Sequence, residues 1–165
     1  MIVLSIDPPV AWSLMTETKV HAHGRVPIRK DAYAAWTLRW IDIINDHPAD
    51  IIGIEGVHLR IYGDDKPYIR QAKQAGSIVL ARRAGIIEGI CRVYRPGVPI
   101  EIVDTGDWRA TNGLKERMGR VKLKTAAIAL VKQLYGLTVT HDEADAILIG
   151  RHLAISAVSA ARSGI

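Results

Sequence analysis

Phenylalanine is missing from all 165 positions, and aromatic residues of any kind make up 5% of the chain. Aliphatic side chains are therefore expected to build the core. Cys91 is the single cysteine, so no disulfide can form within the chain, as expected of a reducing compartment. No uninterrupted apolar run approaches the ~18 residues of a bilayer span. The opening Met1-Ile-Val-Leu-Ser-Ile-Asp7 lacks a basic segment and soon meets an acid, which argues against a secretory leader. A cytoplasmic location without membrane attachment is the expectation. Low-complexity stretches, linkers and internal repeats are also missing, so residues 1–165 read as one compact domain that needs no structural metal to fold.

What is present leans basic. A formal charge of +5 and an isoelectric point near 9.5 suit a polyanionic partner, although that balance alone chooses no function. Its distribution is more informative: between residues 109 and 124, Arg109, Lys115, Arg117, Arg120, Lys122 and Lys124 meet a single acid, Glu116. Such a run is either a phosphate-contact surface or a solvated loop and helix start.

Ile2 to Ile6 is a short apolar run rich in β-branched residues, stopped by Asp7-Pro8-Pro9, and reads as a buried strand. Residues 10–16 and 20–26 give two more strands, closed by Gly24 and Pro27, so a three-stranded meander opens the chain. Between Asp31 and Asn45, Ala34, Ala35, Leu38, Ile41 and Ile44 recur at helical spacing. A fourth strand, Ile51 to Ile54, delivers Glu55-Gly56 at its end as the first delivers Asp7. The next helical pattern, from near Tyr68 to Tyr94, is interrupted by Gly76, Gly85 and Gly89, the expected mark of close helix packing. Ile100 to Val103 is a fifth strand, Lys122 to Tyr135 a helix ended by Gly136, and Asp142 to Arg162 the last helix. This order predicts an α/β fold: a five-stranded sheet of mixed direction with helices packed on it.

Four carboxylates are set apart by position. Asp7 and Glu55 each end a strand; Asp142 and Asp145 open the last helix on one face, which Ile149, Leu153 and Ser156 continue toward the core. Taken singly, each acid has a structural use: a turn at Asp7-Pro8, a strand end at Glu55-Gly56, a helix cap at Asp142, a solvated face at Asp145. Together they form the layout of a two-metal phosphodiesterase, because gathered carboxylates repel one another and lose solvation unless a cation compensates. Oxygen donors without a need for cysteine or histidine favour Mg²⁺, with Mn²⁺ as a substitute, over zinc.

The segments Ile6-Asp7-Pro8, Ile54-Glu55-Gly56-Val57 and Asp142-Glu-Ala-Asp145-Ala-Ile-Leu-Ile, followed by His152, resemble the catalytic segments of RuvC-type Holliday-junction resolvases in order and spacing. Those enzymes belong to the RNase H-like superfamily, and the resemblance runs over nearly the whole chain. It implies an RNase H-like fold, a homodimer, and nicking of branched DNA, four-way junctions above all, by paired symmetric cuts. The implied products carry a 5′ phosphate and a 3′ hydroxyl. Two Mg²⁺ ions per site are implied, held by Asp7, Glu55, Asp142 and Asp145. Lys124, at the basic helix start Lys124-Thr-Ala-Ala-Ile, is similar in place to a catalytic residue near the cleaved phosphate, and Arg109 is a looser match to a second family lysine.

Two departures stand out. Pro9 follows Asp7-Pro8 where the family often has glycine, and His58 stands where cellular members carry an aromatic residue that stacks at the opened junction. The chain therefore looks more similar to bacteriophage or divergent members, acting in the cytoplasm of a bacterium or of a phage-infected host. DNA contacts are expected from His58, Arg109, Lys115, Arg117, Arg120, Lys122 and Lys124. A broader nuclease for forks and flaps stays open, as does a non-catalytic nucleic-acid-binding domain, although four acids speak against the latter. Gly85 and Gly89, one turn apart on the long helix, mark either a dimer seam, which the resemblance favours, or a face packed on the sheet.

Overall fold

A computed structural model describes residues 1–28, 32–57, 67–114 and 119–163. Val3–Asp7 (β1), Ala11–Met15 (β2) and Val20–Arg25 (β3) form the expected meander, and Ile51–Glu55 (β4) and Ile100–Val103 (β5) complete the sheet. The strand order is β3-β2-β1-β4-β5. Hairpins make the first three strands antiparallel, whereas β4 lies parallel to β1, and β5 to β4. Parallel pairing needs crossovers, which are supplied by helices Tyr33–Asp46 (α1) and Pro67–Tyr94 (α2). Thr105–Thr111 (α3), Arg120–Tyr135 (α4) and His141–Ser163 (α5) follow. The mixed five-stranded α/β sheet read from the sequence is the one observed.

Successive strand residues point to opposite faces, and the alternation is kept across the sheet. Val3, Met15 and Val103 pack on one face with Ile147, Ile149 and Leu153 of α5 and Val131 of α4. Leu4, Ile6, Ile52 and Ile54 pack on the other with Trp36, Trp40 and Ile43 of α1 and Ile87 and Cys91 of α2. Asp7 shares the parity of Val3, and Glu55 that of Gly53, so both belong to the α5 face.

That helix lies close. A Cβ at Gly53 would overlap Leu153 Cδ1, and one at Gly150 would come 2.6 Å from both Met15 Sδ and Ser5 Oγ. The buried Ser5 hydroxyl donates to the Ala146 carbonyl at 2.7 Å and sits 2.7 Å from the Ser13 hydroxyl. Two polar groups are thereby satisfied inside the core while the register of α5 over β1 is pinned.

Several expectations are corrected. The core is not purely aliphatic: all four tryptophans are buried, Trp40 and Trp108 almost completely. The buried face of α1 is Trp36, Trp40, Ile43 and Ile44, while Leu38 is 61% exposed and Ala34 and Ala35 face solvent. Two indoles remove more apolar surface from water than a leucine and two alanines do, and they set the helix rotation. Ser156 is exposed, beyond Ala154, the last buried residue of α5 among those described. Residues 141–161 are long and apolar enough on average, with mean hydropathy 1.3, to cross a bilayer; here their apolar side chains cover the sheet. A Cβ added at Gly76, Gly85 or Gly89 would meet nothing within 4 Å among the described residues, so these glycines serve no close helix packing there.

Candidate active site

Because β1 and β4 are adjacent and parallel, with Ile6 opposite Ile54, the acids that follow leave the same end of the sheet side by side. The start of α5 lies over that end. Its cap is Thr140 rather than Asp142: the Glu143 carboxylate accepts from the Thr140 N–H at 2.9 Å, and the Thr140 hydroxyl accepts from the Glu143 N–H at 3.4 Å, a capping box. Asp142 and Asp145 are left to face inward. Asp7, Glu55, Asp142 and Asp145 thus line one cleft of about 720 Å³, together with Arg109, Arg120, Lys124 and His141.

The crowding has electrostatic consequences. Burial, the charges of Glu55 and Asp145, a hydrogen bond with Glu55, and Asp142 together hold the Asp7 carboxyl well above its usual range. Burial and Glu55 push Asp145 up to about 7, with Asp142 adding to the rise, against the pull of Arg109 and Lys124. Both shifts come first from burial and then from neighbouring carboxylates. Lys124 is half-buried within the cleft and Arg120 is exposed at its rim, whereas Lys122 projects from α4 into solvent. His58, Lys115 and Arg117 lie outside the described residues.

Sequence reasoning missed the partners that orient the acids. Arg25 donates to Asp142 Oδ2 at 2.9 Å, and His141 Nε2 lies 2.9 Å from Oδ1. Next to it, Glu143 is held below its usual range: burial opposes the charged form, but hydrogen bonds from Thr140 and His23 outweigh it. Glu55 Oε1 accepts from the Thr105 hydroxyl and from the Trp108 indole N–H, each at 3.0 Å. Both donors sit on α3, a helix absent from the sequence reading. Its signal was Asp104 directly after β5, which caps Gly106 N at 2.6 Å, with Asp107 in the first turn.

Among the described residues, no three acidic, histidine or cysteine side chains close into a finished metal cage; Asp142 is taken up by Arg25 and His141. The donor set nevertheless fits a hard divalent cation, since four carboxylates share the cleft and the only thiol, Cys91, is buried on the other face with its pKa pushed up to about 12 by burial.

Over 96% of its length, the chain superposes on 96% of Thermus thermophilus RuvC in complex with Holliday junction substrate, with a TM-score of 0.66 at 16% identity. The chain has the RuvC fold. A second Thermus thermophilus RuvC structure superposes with a TM-score of 0.58 at 16% identity, covering 99% of this chain and 97% of that one. No family model and no curated protein sequence matches. At such low identity RuvC speaks for the fold, and the chemistry must be argued from the cleft.

Proposed function

We propose that residues 1–165 form a single metal-dependent endonuclease domain that resolves four-way DNA junctions by paired symmetric nicks. The observation that carries this reading is the convergence of four carboxylates, delivered by β1, β4 and α5, in one cleft bordered by Lys124, Arg109 and Arg120. A cation-seeking acidic centre with a basic border suits a phosphodiester, whose backbone the cations hold while the acids bind metal. The RuvC fold, seen with a Holliday junction in the Thermus protein, supports the choice of branched DNA.

Asp7, Glu55, Asp142 and Asp145 would hold Mg²⁺ or Mn²⁺, two ions per site. When bound, such ions lower the pKa of the attacking water and stabilise the leaving 3′ oxygen. The strand-borne Asp7 and Glu55 supply rigid anchors, and Asp142 must exchange its Arg25 and His141 partners to join them. Lys124 and Arg109 offset charge developing on the reacting phosphate, leaving a 5′ phosphate and a 3′ hydroxyl. Arg120, Lys122, Lys115 and Arg117 would extend the backbone contact, and His58 would stack or bond at the opened junction. Paired cuts need two sites, hence a homodimer. The α2 face bearing Gly85 and Gly89 is exposed, as are Ile78 and Val93 one or two turns away on the same side, which supports a seam there. The reading places the protein in the cytoplasm of a bacterium or of a phage-infected host.

The test is incubation of purified protein with labelled four-way, three-way and linear DNA, with Mg²⁺ or EDTA, alongside sedimentation. Symmetric nicks in the four-way substrate with Mg²⁺ alone, by a dimer, are expected. Failure to cut any of these substrates with Mg²⁺ or Mn²⁺ would leave only the nucleic-acid-binding reading.

A further inference from the structure

We propose that Thr105 and Trp108 are positioning residues that aim Glu55 at the metal. The inference rests on the metal-dependent reading above and concerns residues it does not use. Both hydrogen bonds, 3.0 Å each, land on Glu55 Oε1, so the carboxyl group cannot turn about its terminal bond without breaking the pair. Trp108 is 1% exposed, and a buried indole N–H usually finds an acceptor. Here the acceptor is a carboxylate of the acidic cleft.

The donors are neutral, which matters. Asp142 is held by a guanidinium and an imidazole, and a cationic partner competes with a metal for the same negative charge. A hydroxyl and an indole fix direction without adding a positive charge that would compete with an incoming cation. The clamp is itself anchored: Asn112 Nδ2 donates to the carbonyls of Trp108 at 2.6 Å and Leu148 at 3.0 Å. One short helix therefore ties the acid of β4 to α5, the element that carries Asp142 and Asp145. Arg109, 5.2 Å from the centre of the Trp108 ring, lines the same cleft and is carried by the same turn.

The experiment is calorimetric titration of the full chain with Mn²⁺, without DNA, for wild type, Thr105→Val, Thr105→Ser, Trp108→Phe and Glu55→Gln. The Thr105→Val and Trp108→Phe substitutions are also made in the Glu55→Gln background. Each single loss of a donor is expected to weaken Mn²⁺ binding by about tenfold, Thr105→Ser to restore it, and both losses to become silent once Glu55 is Gln. Thermal melts run in parallel, and if Trp108→Phe does not fold, the Thr105 pair decides the outcome. Wild-type affinity in Thr105→Val while Glu55→Gln weakens binding would overturn the clamp alone. A loss that persists undiminished in the Glu55→Gln background would also overturn it, as a general packing effect. Wild-type affinity in Glu55→Gln would instead remove Glu55 from the metal site and take the clamp with it.

Discussion

The two faces of the sheet are made from alternate residues of the same strands, yet their chemistry is unlike. Toward α1 and α2 lie Leu4, Ile6, Trp12, Ile52 and Ile54, sealed by Trp36 and Trp40. Toward α5 lie the hydroxyls of Ser5 and Ser13, the bare Gly53, and at one end Asp7 and Glu55. The first face is filled by bulk, and among the described residues it even tolerates one buried indole N–H, that of Trp40, without a partner. The second sets small and polar groups among the apolar Val3, Met15 and Val103, so that a helix can come close and carry acids to acids. A strand's period of two is enough to separate them, and a slip of one residue in β1 or β4 would turn Asp7 or Glu55 into the tryptophan layer.

The sharpest break of that contrast is chemical. Asp7→Asn, Glu55→Gln, Asp142→Asn and Asp145→Asn should each lower junction cleavage by roughly 10²–10³-fold, while gel-shift affinity for the junction holds or tightens as repulsion falls. Near-wild-type turnover in any of them would remove that residue from the site. On the other face, Trp40→Ala should destabilise the fold by about 3–5 kcal/mol and leave cleavage per folded molecule unchanged. Denaturant melts paired with active-site titration check this, and a specific loss of turnover would mean that the faces are coupled.

A smaller effect tests how closely α5 must sit. Gly53→Ala meets Leu153 Cδ1, the end of a flexible side chain, so a cost of about 1–3 kcal/mol is expected. Because the same shift moves Asp142 and Asp145, Mg²⁺ affinity should fall along with stability. A stability loss at constant Mg²⁺ affinity would show that the approach serves packing only.

The mildest effect is a dependence on pH. Asp145 titrates near 7 in the folded chain and near 3.9 when unfolded, so folding favours its protonated form. The stability it contributes is complete below about pH 4 and is lost as pH rises toward 7; Asp7, shifted in the same direction, adds to that loss. A divalent cation bound to the ionised acids reverses it. Mg²⁺ should therefore raise Tm more at pH 8 than at pH 5, and equal shifts at the two pH values would place the ion elsewhere.

Much of this was legible in the sequence because the signals are local. Apolar runs closed by Asp7-Pro8 and Glu55-Gly56 mark strands and their ends, and the pattern from Asp142 onward marks the last helix, although its cap is Thr140. Other features were hidden because their cause is remote. Arg25 meets Asp142 across 117 positions, and α3 has only seven residues, too few for a periodic pattern and too short to persist without its tertiary contacts. The basic run divided as well: Arg109, Arg120 and Lys124 reach the cleft, while Lys122, between two of them, points away because a helix turns by 100° per residue.

Composition and pattern alone determined five strands, the amphipathic helices, the acids at strand ends, and the i, i+3 pair on the last helix. These follow from steric and hydrophobic periodicities within a few residues. Which side of α1 is buried, how closely α5 lies on the sheet, and which donors hold Glu55 and Asp142 were decided only by the tertiary structure. Each depends on complementary shape and charge between segments that meet once the chain has folded, and no local periodicity carries that information.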